Sequence, residues 1–124
     1  MNLFDPMNYD KTGFIIEVKR ADLYVKLEVA ELDYPEEVDW NFANQLCQEL
    51  GDGWRLPSLE ELVAMYIQLH LNEKSVFETH GYYWSSTGVG SDYNWYFSFG
   101  NGQSGGDRAY AKRTRHLRLV RDCF

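Results

Sequence analysis

Hydrophobic and polar residues alternate early in the chain in the way expected of paired β-strands. Phe14–Val18 is a short apolar run, and Asp22–Ala30 alternates apolar and polar side chains. The apolar members of the second segment are Leu23, Val25, Leu27 and Val29. A period of two indicates a strand with one buried face. We therefore expect two strands that pair as a hairpin across residues 19–21.

Two amphipathic helices are predicted next. Asp39 is placed to cap a helix that ends at Gly51, although the helix could begin a few residues earlier. Ser58 and Glu61 form the Ser-x-x-Glu pattern of a capping box, in which each side chain accepts a hydrogen bond from the backbone N–H of the other residue. The apolar spacing after Ser58 predicts that the second helix ends near Leu71–Asn72.

The second half of the chain is dominated by strand patterns. We predict strands at Tyr82–Thr87, Asn94–Phe99 and His116–Arg121, with a glycine-rich loop at Gly100–Asp107. Alternation in the second of these strands assigns Trp95, Phe97 and Phe99 to the core, and Asn94, Tyr96 and Ser98 to the exposed face. An order of strands, then helices, then strands is typical of the α+β class. The length of 124 residues predicts a single domain, residues 1–124.

The stretch Tyr82–Tyr110 has an unusual composition. Of its 29 residues, 5 are Tyr, 5 Ser, 6 Gly and 2 Asn, and none is Lys or Glu. Tyrosine supplies large contact area at low entropic cost, and Ser, Gly and Asn supply adaptable hydrogen bonds, as in antibody binding loops. A ligand-binding surface is one interpretation, and an ordinary hairpin region whose Gly and Asn serve turns is the other.

Charge is unevenly distributed along the chain. The net charge is −7, with 14 acidic and 5 basic residues in residues 1–62 but 5 acidic and 7 basic residues in residues 63–124. The two halves could neutralise each other when packed, or the basic end could bind an anion. An acidic chain with one short basic segment argues against nucleic-acid binding.

Catalytic and metal-binding patterns are absent from the sequence. It contains no His-x-x-x-His, Cys-x-x-Cys or Gly-x-Ser-x-Gly motif, and its three histidines are dispersed. Ser85 and Ser86 have no activating base nearby in sequence, and Arg55 is interpreted as a structural arginine. We therefore predict a protein that is not an enzyme and that has no cofactor and no metal ion.

The chain shows no secretory signal at its N-terminus and no run long enough for a membrane span. We therefore expect a protein that is cytoplasmic or associated with a phage or other particle, and not one exported by the Sec pathway.

Four segments in order carry a resemblance to a known family. They are Trp40-x-x-Ala43-x-x-x-Cys47, Trp54-Arg-Leu-Pro57 followed by Glu61-Leu62, Tyr83-Trp-Ser-Ser-Thr87, and Leu117-Arg-Leu-Val-Arg121. Over roughly residues 11 to 121 the chain resembles the Lcl C-terminal domain family, named for the C-terminal domain of a bacterial collagen-like adhesin. That family is similar in fold to C-type lectins and to the variable proteins of diversity-generating retroelements. The resemblance implies a mixed, mainly antiparallel sheet with two helices and a ligand site near the last strands.

The chain departs from these relatives in its cysteines and its calcium motifs. In the family a helix cysteine tends to pair with one on the closing strand, where this chain has Leu119. Cys123 lies four residues further on, roughly 13 Å along a strand, so we expect Cys47 and Cys123 to be free thiols. The Glu-Pro-Asn and Trp-Asn-Asp motifs of calcium-dependent lectins are missing, and so is the reactive cysteine pair of formylglycine-generating enzymes.

Three hypotheses follow for the function. The first is a C-type-lectin-like module that binds a protein or glycan on another molecule or cell, with a retroelement variable protein as its more specific form. Its contact residues would be Tyr93, Asn94, Tyr96, Ser98, Asn101, Gln103, Ser104, Asp107, Arg108 and Tyr110. The second is an adhesin-type module that binds sulfated or acidic polysaccharide through Arg113, Arg115 and Arg118. The third is a structural assembly domain of a larger particle.

Overall fold

The computed structural model describes residues 7–89, 93–108 and 112–123. After a 3-10 turn at Met7–Asp10, the elements in chain order are strands β1 and β2, helices α1 and α2, and strands β3 to β6. Their bounds are β1 Thr12–Arg20, β2 Leu23–Ala30, α1 Trp40–Leu50, α2 Leu59–Met65, β3 Tyr83–Val89, β4 Tyr93–Phe97, β5 Ser104–Arg108 and β6 Val120–Asp122. Helix α2 continues into a π-helical turn at Tyr66–His70.

The strands form two antiparallel three-stranded sheets, which confirms the α+β class. Sheet 1 has the order β1-β2-β6 and sheet 2 the order β3-β4-β5. Single bridges connect the remaining extended segments to them, including a parallel bridge between Tyr83 and His116 and an antiparallel one between Arg55 and Val120. The closing part of the chain therefore contacts both sheets.

The local predictions for the hairpin and the helices are confirmed. Strands β1 and β2 pair in register from Arg20 opposite Leu23. The Asp39 side chain accepts a hydrogen bond from the Phe42 backbone N–H, and Gly51 ends α1 with a φ of 68°. Both hydrogen bonds of the Ser58–Glu61 capping box are present. These signals were readable because each depends on residues close together in sequence.

Two predictions in the second half are wrong. Residues 100–107 are not all loop, because Ser104–Asp107 belong to β5. Glycine occupies these two strand positions because aromatic side chains of β4 fill the space that a larger residue would need. A Cβ on Gly105 would lie 2.5 Å from Tyr96 Oη, and one on Gly106 would lie 3.2 Å from Tyr93 Cδ1. The closing strand is also shorter than predicted, since only Val120–Asp122 forms a ladder. The segment before it is held by single backbone bonds, for example from the Tyr34 N–H to the Leu117 oxygen at 3.0 Å.

The tryptophans and cysteines occupy the positions that the core requires. Trp54 and Trp84 are buried, and the Trp40 indole is half-buried, with its Nε1 donating to the Ser85 carbonyl at 2.8 Å. Cys47 and Cys123 are free, as expected. Burial raises the pKa of the Cys47 thiol to about 11, so it stays protonated near neutral pH.

Arg118 is buried at the junction of several segments, with only 1% of its surface exposed. Its Nε donates to Asp33 Oδ1 at 2.7 Å and its Nη2 to the Val76 carbonyl at 2.7 Å. Its Nη1 donates to Ser75 Oγ at 3.0 Å and to the Ala30 carbonyl at 3.3 Å, and the guanidinium lies 4.3 Å from the centre of the Phe77 ring. The assignment of Arg118 to an exposed basic strand is therefore wrong.

A second ionic network joins α2 to the end of sheet 1. Arg55 binds both carboxylate oxygens of Glu61 at 2.7 Å and Asp122 at 2.9 Å, and Arg20 binds Glu61 at 2.5 Å. Arg55 is thus structural, as predicted. Burial by itself would raise the pKa of Glu61, but hydrogen bonds from Arg55, the Ser58 backbone and Arg20 outweigh it and hold the pKa at about 2.

Replacing Arg118 with Met should cost about 3–5 kcal/mol of unfolding free energy, because it leaves Asp33 and two buried acceptors without their partner. Urea denaturation followed by circular dichroism measures the change. The matched control is Arg113→Met on the exposed Arg113, which should change stability by no more than about 0.5 kcal/mol. A loss below about 1 kcal/mol for Arg118→Met would contradict the role of Arg118 in the core.

Acid should weaken the fold through Glu61. Its folded-state pKa of about 2 lies below the ordinary value of 4.5, so its contribution is complete above pH 4.5 and is lost as the pH falls towards 2. That contribution is about 3 kcal/mol. Urea denaturation at pH 6 and pH 2.5 should show a smaller acid loss for Glu61→Gln than for the wild type. Glu60 is an exposed neighbour, so Glu60→Gln is the control and should lose as much unfolding free energy between pH 6 and pH 2.5 as the wild type does.

Candidate functional site

The face of sheet 2 that carries Trp84 and Tyr96 brings together distant polar and aromatic residues. In the ladder, Asn94 lies opposite Asp107, and Tyr96 lies between Trp84 and Gly105. Because alternate residues of a strand point to opposite faces, Tyr83 and Phe97 point the other way, into the core. Asn94, Tyr96 and Asp107 therefore share one face of the sheet.

Arg115 completes a cluster on this face, which we call the Arg115 cluster: Tyr82, Tyr96, Asp107 and Arg115. The Arg115 guanidinium carbon lies 4.7 Å from the ring centres of both Tyr82 and Tyr96, which are themselves 4.7 Å apart. Its Nη2 and Nε donate to Asp107 Oδ2 at 2.9 and 3.2 Å. The Arg115 backbone is fixed by a two-way bridge to Val38, at 2.9 and 3.0 Å. The cluster is thus held in one arrangement before any ligand arrives.

A basic cleft adjoins the cluster at the start of α1. It is lined by Asp39, Trp40, Asn41, Trp84, Asn94, Arg108, Lys112 and Arg113. Its floor is fixed by the Trp84 indole, whose Nε1 donates to the Val38 carbonyl at 2.7 Å. Within the described part of the chain, Arg108, Lys112 and Arg113 form no ion pair. With one acid, Asp39, against three bases in its lining, the cleft carries a net positive charge beside Asn94.

The predicted contact residues separate into groups in the structure. Asn94, Tyr96, Asp107 and Arg108 lie at the cluster and the cleft, and Tyr93 lies beneath Arg108, whose guanidinium is 4.9 Å from its ring centre. Asn101, Gln103 and Ser104 are exposed, but they lie at the hairpin end of β4 and β5, away from the Asn94–Asp107 pair. Tyr110 lies outside the described residues.

The prediction that Ser98 is exposed is wrong. Its relative exposure is 5%, and its Oγ accepts a hydrogen bond from the Gly100 N–H at 3.1 Å. The alternation fails because β4 ends at Phe97 and the chain turns, with the Gly102 N–H donating to the Ser98 carbonyl at 2.9 Å. Trp95 also differs from expectation, because it is half-buried and not fully in the core.

Sequence reasoning missed Tyr82 and Arg115 as partners, and it missed Trp40 and Asn41 as neighbours of the site. Tyr82 and Arg115 are far apart in sequence, and Arg115 had been grouped with the basic segment by charge alone. The pairing of the closing segment with Val38 and with Tyr83 brings Arg115 over the sheet. No spacing in the sequence encodes that contact.

The buried serine at the centre of the sheet is structural. Ser85 is fully buried, and its Oγ donates to the Trp95 carbonyl at 2.8 Å. Residues 7–89, 93–108 and 112–123 contain no group of three His, Cys, Asp or Glu side chains placed to hold a metal ion. Across the same ranges, no helix combines the length and the apolar character needed to cross a membrane.

Comparison with known proteins adds one match. The family model described as the Lcl C-terminal domain matches residues 18–121. No curated protein matches the chain.

Proposed function

The chain belongs to the Lcl C-terminal domain family, and we propose that it is a non-catalytic ligand-binding module whose contact surface is the Arg115 cluster with Asn94. The observation that carries this proposal is the fixed position of Arg115 against Tyr82, Tyr96 and Asp107. The Asp107 ion pair already orders this guanidinium and leaves 18% of the Arg115 side chain exposed, so a ligand that contacts the exposed part loses little entropy. Tyr and Arg are also the residue types that dominate binding hot spots.

The chemistry of the cluster favours a polar ligand with flat or hydroxyl-bearing groups. The Tyr82 ring is 37% exposed and offers both an apolar face and a phenol, and the neighbouring Asn94 offers an amide that can donate and accept. Such a surface suits a glycan or a polar protein segment on another molecule. Nothing in the proposal requires a cofactor or a bond-making step.

A second candidate is an adhesin-type module that binds sulfated or acidic polysaccharide. It is favoured by the three cations of the basic cleft, Arg108, Lys112 and Arg113, which have no carboxylate partner among the described residues. Of the three arginines predicted from the sequence for this role, only Arg113 lines the cleft. The charge of Arg115 is already balanced by Asp107, and Arg118 is buried against Asp33, so neither offers a free positive charge to an external anion.

A finer form of the first candidate is a variable protein of a diversity-generating retroelement. It is supported by the exposure of Asn101, Gln103 and Ser104, because exposed side chains can be replaced without disturbing a core. It predicts a near-repeat of the DNA that encodes residues 82–121, with differences at adenines, beside a reverse-transcriptase gene. A gene neighbourhood without that repeat and that gene would contradict the variable-protein form and leave the binding module itself untouched.

Binding through the Arg115 cluster should depend on Tyr82. A printed array of neutral and sulfated glycans, together with a displayed library of random peptides, supplies the probes, and biolayer interferometry measures the affinity of each hit. Tyr82→Ala should weaken binding about tenfold or more, since it removes one ring from the cluster. Tyr24→Ala is the matched control, because Tyr24 is 69% exposed on sheet 1, and it should leave affinity unchanged. Equal effects of the two variants would contradict the cluster as the contact surface.

Salt and heparin separate the two candidates. If the basic cleft carries binding, affinity for heparin should fall at least about tenfold between 0.05 and 0.5 M NaCl, and the double variant Lys112→Gln/Arg113→Gln should abolish that dependence. The control pair Lys19→Gln/Lys26→Gln removes the same charge from exposed positions of sheet 1 and should behave as the wild type. Binding that changes no more than about twofold over this range favours the Arg115 cluster.

A further inference from the structure

The two sheets have four edges; the described residues cover two of them with backbone and a third, that of β1, at one position. At the β6 edge, Val120 exchanges backbone hydrogen bonds with Arg55 at 2.8 and 3.0 Å. At the β3 edge, the Trp84 N–H donates to the His116 carbonyl at 2.9 Å and the Ser86 N–H to the Pro57 carbonyl at 2.8 Å. Both edges are therefore closed by other parts of the backbone.

The β1 edge is covered at one residue, Glu17, by a side chain. Gln68, in the π-helical turn after α2, accepts from the Glu17 N–H at 3.1 Å and donates to the Glu17 carbonyl at 2.6 Å. An amide side chain thus takes the place that a neighbouring strand would occupy. Such protection is expected, since an open edge is a template for pairing with another chain.

The β5 edge has no such cover among residues 7–89, 93–108 and 112–123. Strand β5 pairs only with β4, in a register that continues to the Ser98 N–H and the Gln103 carbonyl at 2.8 Å. Antiparallel ladders alternate inward- and outward-pointing residues. Ser104, Gly106 and Arg108 therefore direct their N–H and C=O groups away from the sheet.

Strand β5 is short, but it lacks the lysine, proline and bulge that commonly block edge pairing. The strand contains no Lys and no Pro, and its register with β4 is continuous over all five residues. Its two charged side chains are already engaged on the faces of the sheet, Asp107 with Arg115 and Arg108 over the Tyr93 ring. Gly105 and Gly106 have no side chains to obstruct the approach of another backbone.

We propose that β5 pairs antiparallel with β5 of a second copy of this chain, with Gly106 opposite Gly106. The outward residues 104, 106 and 108 are symmetric about Gly106, so the same register satisfies both copies with about six hydrogen bonds. In that register Ser104 faces Arg108 of the other copy and Gly105 faces Asp107, so no like charges lie directly opposite. This self-complementarity favours a second copy over a strand of unrelated sequence.

The pairing has a geometric consequence for the candidate site. A two-fold axis that relates antiparallel edge strands is perpendicular to the sheet, so both copies present the same face to one side. The two Arg115 clusters then lie on one face of a six-stranded sheet, and the dimer can engage two ligand groups at once. Only this bivalent use rests on the proposed function, because the pairing itself depends on β5 alone.

Charge variants at Ser104 test the pairing and its register. Sedimentation velocity from 10 µM to 1 mM in 50 mM NaCl should show a weak dimer, since so short a contact buries less than a standard interface. Ser104→Glu places a carboxylate opposite Arg108 of the other copy and should tighten the dimer about two- to tenfold, whereas Ser104→Lys should weaken it by a similar factor. The controls Gln48→Glu and Gln48→Lys make the same charge changes on the exposed Gln48 of α1 and should not differ from the wild type.

Hydrogen exchange supplies a second reading that does not depend on any variant. As the protein concentration rises, the amides of Ser104, Gly106 and Arg108 should become protected, while those of Gly105 and Asp107 should not change. A protein that stays monomeric at 1 mM would overturn the proposal. The proposal would also be overturned if Ser104→Glu and Ser104→Lys changed the dimer affinity equally, since that dimer would use another surface.

Discussion

The structure depends most on keeping one charged group, the Arg118 guanidinium, satisfied away from water. A buried guanidinium without partners would cost several kcal/mol, so its acceptors must converge on it. Those acceptors come from the end of β2, from the Asp33 loop and from the segment after the π-helical turn. Asp33 also accepts from the Tyr83 hydroxyl, which links β3 of the second sheet to the same group. One side chain thereby sets the positions of both sheets.

The candidate site inherits its geometry from that arrangement. Arg115 lies three residues before Arg118 on the same extended segment, so fixing Arg118 limits where Arg115 can reach. The Tyr34–Leu117 backbone bond and the Val38–Arg115 bridge then place the Arg115 guanidinium over Tyr82 and Tyr96 of sheet 2. Asp107 and the two tyrosines receive it there. The proposed binding surface therefore depends on core contacts and not on an independent loop.

The features that could be predicted from the sequence join residues close together in the chain, and most of those that were missed join residues far apart. The Ser58–Glu61 capping box, the Asp39 cap and the β1–β2 hairpin join residues close in sequence, and their patterns were sufficient. Strand β5 was missed because adjacent glycines are typical of turns. Here they belong to a strand, and the rings of Tyr96 and Trp95 lie against them, a contact that the sequence does not show. Arg118 was hidden because a buried arginine and a surface arginine look alike in sequence. The Arg115 cluster needed a pairing between residues far apart that no local signal encodes.

The contact between Gly105 and Tyr96 gives β5 an uneven tolerance to substitution. A side chain at Ser104 would extend into solvent, whereas any side chain at Gly105 would displace the Tyr96 hydroxyl, which lies 2.5 Å from the position of a Cβ. Moving Tyr96 would move one of the two rings that hold Arg115. A mutation at Gly105 would therefore change the shape of the proposed contact surface, whereas a mutation at the adjacent Ser104 would leave it intact, so the two neighbouring codons would be under different selective pressures.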